Sequence, residues 1–182
     1  MKIQLTELQG VVVIEPEVFS DARGYFLETY NAKVFGEAGI SEHFVQDNQS
    51  QSKRGVLRGL HYQEEHAQGK LIRVLLGEIF DVVVDLRPKS STFGKWSAFK
   101  LLAREQKMIW IPKGFAHGFY TVSETADVAY KVTEFYRPQD ERVILWNDPD
   151  LAIPWPLQGE PILSKKDKAG DSFRELARLG QG

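Results

Sequence analysis

The stretch EIFDVVVDL, residues 78–86, decides the fold class. Phe80, Val82, Val84 and Leu86 recur at every second position, which is the two-residue period of a strand, while Asp81 and Asp85 fall on the opposite face. Outward from it the same pattern repeats. Runs rich in β-branched and aromatic residues occupy 11–15, 25–30, 44–51, 56–62 and 71–76 before it, and 96–102, 108–111, 118–122, 126–135 and 142–146 after it. Gly, Pro, Asn or Asp separate them. So many short strands predict an all-β antiparallel sandwich or barrel rather than a βαβ fold. Within 126–135, Ala126, Val128, Tyr130 and Val132 share one face, so a polar-tipped phenol sits in an apolar row.

Two segments read as helix. Residues 31–38 have Asn31 as N-cap and Gly39 as stop. Residues 164–179 form a longer pattern that Gly170 should split. Pro149, Pro154, Pro156 and Pro161 mark an extended connection. The expected organisation is one domain over 1–182, with a β body over about 11–146 and a connection plus C-terminal helix over about 147–182.

Composition narrows the function classes. With 42% apolar and 12% aromatic residues in 182, a core forms without staples. The absence of cysteine excludes disulfides, thiolate nucleophiles, zinc–thiolate sites and iron–sulfur clusters. The 23 basic and 25 acidic residues are mixed along the chain, so neither a nucleic-acid face nor a membrane-binding basic segment is expected. No apolar run approaches the ~20 residues of a membrane span. The first residues do not read as a signal peptide, and the expected location is the cytoplasm.

The densest chemistry lies in Arg54-Gly55-Val56-Leu57-Arg58-Gly59-Leu60-His61-Tyr62-Gln63. Arginine offers a planar fork of donors that suits phosphate. Neutral histidine is the commonest general base. The run also reads as a strand with a basic solvent face. Strict alternation sets Arg58 and His61 on opposite faces, and a bulge at Gly59 would bring both into one cavity. In 44–50, Gln46, Asn48 and Ser50 share a face, either a solvated sheet surface or a row of donors and acceptors along a groove. In 110–119 a strand ends at Pro112, turns at Lys113-Gly114 and restarts around Gly118, leaving His117 between small neighbours. No metal is expected. The four histidines are His43, His61, His66 and His117, and the His-x-His pair of metal-binding small barrels is missing because Gln63 stands two after His61.

Together these motifs resemble the dTDP-4-dehydrorhamnose 3,5-epimerase family. The resemblance runs from about 11 to about 171 through DARGYF (21–26), FVQDN (44–48), GVLRGLHYQ (55–63), QGKLIRV (68–74), FDVVVDLR (80–87), IPKGFAHGF (111–119), YKVT (130–133) and LSKKD (163–167), in that order. It implies a cupin-type jelly-roll barrel with short peripheral helices and a C-terminal helix. It implies inversion of carbons 3 and 5 of dTDP-4-keto-6-deoxy-D-glucose, for rhamnose and cell-surface polysaccharide, with no cofactor and no metal. It also implies a homodimer in which an N-terminal strand reaches the partner, and the β-rich 11–15 segment is the expected arm. The resemblance makes His61 the base, Asp167 its paired carboxylate, Lys70 the cation at the keto oxygen and Tyr130 the proton donor on the opposite face. It assigns Arg23, Phe26, Glu28, Gln46, Asp47, Asn48, Arg58, His117, Tyr136, Glu141 and Lys166 to the nucleotide sugar.

These residue types fit that chemistry. Removing a proton beside a ketone gives an enolate, and returning one to the other face inverts the centre. A base, an acid and a cation are needed. Histidine has an unperturbed pKa of ~6.5 and tyrosine ~10, so near neutrality one accepts and the other donates. Three alternatives stand beside this reading: an epimerase acting at one carbon or on a related dTDP-4-keto sugar, a non-catalytic barrel that binds nucleotide sugars, and a metal-dependent cupin oxygenase, against which the missing ligand pair argues.

Overall fold

The computed structural model describes residues 1–179. In chain order the strands are β1 (Lys2–Leu5), β2 (Val12–Glu15), β3 (Val18–Asp21), β4 (Gly24–Leu27), β5 (Gln46–Lys53), β6 (Leu57–Gln63), β7 (Lys70–Leu76), β8 (Glu78–Asp85), β9 (Trp96–Leu102), β10 (Met108–Ile111), β11 (Phe115–Thr121), β12 (Thr125–Val132) and β13 (Glu141–Val143). Helix α1 (Ala32–Glu37) follows β4, and α2 (Lys165–Lys168) and α3 (Phe173–Leu179) close the chain. One sheet has the order β1-β2-β10-β7-β12-β5, a second has β13-β6-β11-β8-β9, and β3–β4 is a separate hairpin. All the strand pairings are antiparallel. This is the expected all-β, jelly-roll-like arrangement with short peripheral helices.

Three apolar layers hold it. Between the sheets lie Ile72, Val74, Ala126 and Val128 from one side and Ile79, Val83, Phe115 and Phe119 from the other. The outer face of the five-stranded sheet presents Leu57, Leu60, Val82, Val84 and Tyr120, and the segment carrying Leu151, Ile153 and Trp155 covers it. The Trp96 and Trp155 indoles donate to the Leu151 and Trp146 carbonyls at 2.7 Å. The proline-rich connection is therefore a lid on the core. The outer face of the other sheet buries Val12, Ile14 and Trp110 under Phe35 of α1 and Ile40. Each such side chain contributes about 1.5–3 kcal/mol on burial. Because both faces of β8 are covered, Asp81 and Asp85 point into the interior, where neither is exposed.

Several boundaries differ from the sequence reading. β1 and β3 were not expected, since every residue in them is exposed and carries no burial period. β4 stops at Leu27 instead of Tyr30, and β5 starts at Gln46 because Phe44 turns aside to pack edge-on against Tyr30 and Trp110. β11 starts at Phe115 rather than near Gly118, because Gly114 at φ +88° completes the turn at once. β12 ends at Val132, and beyond it Gln63 bonds the backbone of Phe135 and Arg137. β13 is short and begins at Glu141. β2 is not an arm free to join a neighbour, because β1 and β10 flank it, and the edge strand is β1. Asn31 caps α1, and the C-terminal helical pattern divides around Gly170 as expected. Residues 180–182, the end of the region expected to hold the helix, lie outside the described residues.

Candidate active site

A cavity of about 350 Å³ opens between the sheets above their apolar core. Gln46, Asn48 and Ser50 of β5, Lys70 of β7 and Tyr130 of β12 come from the six-stranded wall. Arg58 and His61 of β6, His117 of β11 and Glu141 of β13 come from the five-stranded wall. The polar row on β5 therefore faces the cavity. Arg58 and His61 reach it together because β6 is bulged: His61 pairs with His117, yet Arg58 pairs with Phe119, so three steps on β6 match two on β11. Gly59 makes this possible. Its φ is +120°, and a Cβ there would lie 2.5 Å from Gly118 Cα.

Asp167 stands behind His61 rather than in the lining. Ser164 caps α2 and its hydroxyl donates to Asp167 Oδ2 at 2.6 Å, while the Asp167 amide donates back to that hydroxyl. This capping box aims the other oxygen, Oδ1, at His61 Nε2, 2.6 Å away, and at the Gly59 amide, 3.2 Å away. Burial pushes the Asp167 carboxyl up, but its hydrogen bonds with His61 and Ser164 outweigh that and hold it at about 2. His61 Nδ1 is left toward the cavity, 3.8 Å from Glu141 Oε1.

Lys70 is buried, and its ammonium donates to the His61 carbonyl at 3.4 Å. Burial pulls its pKa down to about 8, with Glu141 and Asp81 pulling the other way. Burial raises the Tyr130 phenol, which keeps its proton at neutral pH. Among the described residues its hydroxyl has no hydrogen-bond partner. At the mouth, Glu141 accepts from Tyr136 Oη at 2.7 Å and pairs with Lys166. Gln46 accepts from the Tyr136 amide and donates to Asn48. Arg58 is braced by Ser52 Oγ and the Gln51 carbonyl.

Four expected site residues are elsewhere. Arg23 and Phe26 sit on the β3–β4 hairpin, where Arg23 is bound to Asp21 and Phe26 is 69% exposed. Glu28 accepts from Asn31. Asp47 alternates away from Gln46 and Asn48 and pairs with Lys131 outside the cavity. His66 staples its loop to Asp140. Asp81 was missed: its Oδ2 lies 2.7 Å from His117 Nε2. The available signal was an acid inside an apolar strand.

A base and a phenol on opposite walls, with a buried cation beside the base, can abstract a proton from one face of a bound ring and return one to the other. Comparison with known proteins agrees. The sequence profile described as dTDP-4-dehydrorhamnose 3,5-epimerase matches residues 5–175. The chain is 54% identical to the dTDP-4-dehydrorhamnose 3,5-epimerase of Pseudomonas aeruginosa, over 96% of this chain and 97% of that one. It is 52% identical to the Shigella flexneri protein of the same name, over 95% and 96%. It resembles the crystal structure of the dTDP-6-deoxy-D-glucose-3,5-epimerase of Legionella pneumophila Philadelphia 1 in complex with dTDP-4-keto-L-rhamnose, with TM-score 0.92, 49% identity and 96% of each chain covered.

Proposed function

The chain belongs to the dTDP-4-dehydrorhamnose 3,5-epimerase family, and on that premise we propose that His61 and Tyr130 work the two faces of a dTDP-4-keto-6-deoxy-D-glucose ring, inverting carbons 3 and 5 to give dTDP-4-keto-L-rhamnose for dTDP-L-rhamnose synthesis. The observation that carries this reading is the imidazole on one sheet facing a cavity whose other sheet carries a free phenol.

His61 Nδ1, the nitrogen not bonded to Asp167, takes the proton next to the ketone. Asp167 stabilises the imidazolium that forms. Charge moves to the ketone oxygen, where the Lys70 ammonium stabilises it. Tyr130 then protonates the carbon from the far side. Solvent resets both groups, so each inversion is proton-neutral. The scheme draws on no cofactor and no metal. Arg58 binds the diphosphate, and Gln46, Asn48, Tyr136, Glu141 and Lys166 hold the rest of the nucleotide sugar.

The whole chain acts as one epimerase domain and works as a homodimer. Arg23, Phe26 and Glu28 match the family's substrate positions yet lie outside the cavity of their own chain, on or beside an exposed hairpin. In the dimer that hairpin reaches the partner's cavity and adds Arg23 to the diphosphate site. No helix among the described residues is long and apolar enough to cross a membrane, and a cysteine-free chain suits the reducing cytoplasm.

The deciding experiment follows deuterium by NMR during turnover of the keto sugar in heavy water. Label at carbons 3 and 5 with both centres inverted is the expected result. Label and inversion at one carbon would make the protein a mono-epimerase, and binding without exchange a non-catalytic module. In Tyr130→Phe, exchange with retained configuration should outlast inversion, whereas His61→Asn should lose both.

A further inference from the structure

Asp81 is the one buried acid at the site whose role is still open. It is fully buried on β8, its Oδ1 has no partner among the described residues, and its Oδ2 accepts from His117 alone. The contrast with Asp167 is sharp, since that carboxylate also takes the Gly59 amide and both Ser164 donors. Asp81 is flanked across the strands by Phe119 and Phe99, and Ile79 and Val83 share its face, an environment that an aliphatic side chain would fill well. Burying a carboxylate with one hydrogen bond is unfavourable relative to a well-packed apolar residue. Packing gives no reason for the acid; its charge supports the Lys70 ammonium from a distance, and its one hydrogen bond among the described residues goes to His117 in the cavity lining.

A carboxylate can only accept, so the proton in this bond belongs to His117 Nε2, and Nδ1 is left with its lone pair. His117 lies directly across the β6–β11 ladder from His61. Burial first, then the nearby Lys70 and His61, lower its pKa against the pull of Asp81, so the ring stays neutral when the site is working. On the epimerase reading His61 takes up a proton in each turnover, whereas His117 has no such part in the chemistry.

We infer that Asp81 is a positioning residue for the sugar: it fixes His117 as the Nε2–H tautomer, so that Nδ1 accepts a hydrogen bond from a hydroxyl of the sugar ring beside His61. The sugar as ligand rests on the epimerase reading, whereas the tautomer does not. Asp81→Asn keeps the shape but offers an amide N–H to Nε2, which drives the His117 proton to Nδ1.

The test combines histidine ¹⁵N spectra with binding of dTDP and dTDP-glucose to the full chain. Wild-type His117 should carry its proton on Nε2, and Asp81→Asn should move it to Nδ1. That variant should bind dTDP-glucose about tenfold more weakly and dTDP unchanged, and adding His117→Ala should cost nothing further. An Nδ1–H ring in the wild type overturns the inference, as does equal weakening toward both ligands or none toward dTDP-glucose. Should Asp81→Asn fail to fold, the wild-type spectrum and dTDP-glucose binding by His117→Ala still decide, since unchanged binding there also overturns it. A wild type that binds neither ligand refutes the epimerase reading and leaves the tautomer to the spectrum.

Discussion

Lys70 and Asp167 are both buried, and their surroundings move them in ways that leave separate marks on activity and stability. Burial lowers Lys70 to about 8, so its ammonium is lost as pH rises through that value. If the charge stabilises the enolate, kcat should show a basic limb near 8, well below any loss of the Tyr130 proton, which burial has raised above its ordinary value. Lys70→Met should lower kcat by ~10²–10³ and remove the limb, which a kcat profile between pH 6 and 10 would reveal; a limb that persists would assign it to another group. Asp167 has a folded-state pKa of about 2 against 3.8 unfolded. A depressed carboxyl stabilises the fold fully above its unfolded value, and that contribution is lost as pH falls from about 4 toward 2. The difference is worth ~2 kcal/mol. Melting temperatures of Asp167→Asn should therefore fall less steeply across that window than those of the wild type. Its kcat should also drop by up to ~10⁴, because the amide leaves His61 in the wrong tautomer.

At the scale of elements, the site depends on one extra residue in β6. Gly59 turns the strand so that Arg58 and His61 share a cavity that strict alternation would deny them. A side chain at 59 meets Gly118 Cα at 2.5 Å and the His117 carbonyl at 2.8 Å, with φ at +120°. Gly59→Ala should destabilise the fold by more than ~1 kcal/mol and, in the folded fraction, cost turnover out of proportion, because either relief moves His61 relative to Asp167. Denaturant melts paired with kcat per folded molecule would check this, and an unchanged kcat would mean that the bulge is only tolerated. The bulge was legible because two functional residue types stood at incompatible spacing with a glycine between them. The strands β8, β9 and β10 were legible through their alternation or apolar runs. β1 and β3 were not, since their strand state comes from pairing with β2 and β4, and exposed residues such as Gln4 and Ser20 carry no pattern that reports a partner. Asp81 stayed hidden for a related reason. Alternation separates two faces of a strand, but only the second sheet and the covering 151–155 segment decide which face is the interior.

The molecule as a whole puts the His61 imidazole and the Tyr130 phenol on different sheets, so the spacing of the jelly-roll sandwich sets the width of the cavity between them. The fold brings Tyr130 and Asp167, distant in sequence from His61 and Lys70, to the same cavity, with Asp167 behind the His61 ring. Arg23, Phe26 and Glu28 lie outside it, and a sequence has no means of saying which copy of a chain supplies a residue. Some of the exposed apolar side chains lie where a second copy would help: Phe19, Tyr25 and Phe26 on the hairpin, and Leu5, 81% exposed, on the edge strand β1. A dimer that exchanges the hairpin makes a prediction no monomer can match. In such a dimer Arg23→Ala would remove the arginine given to the neighbour, and His61→Asn would remove the proposed base of the chain's own cavity. Each variant alone should be nearly inactive. Unfolded together and refolded, half of their dimers would be mixed, and in each mixed dimer one cavity has an intact His61 and receives an intact Arg23 while the other has neither. Activity should recover to about a quarter of that of wild-type sites. Analytical ultracentrifugation should give a dimer for every sample at micromolar concentration. Mixed samples that stay inactive while forming dimers would mean that Arg23 serves its own chain or none, and a stable monomer would remove the arrangement altogether.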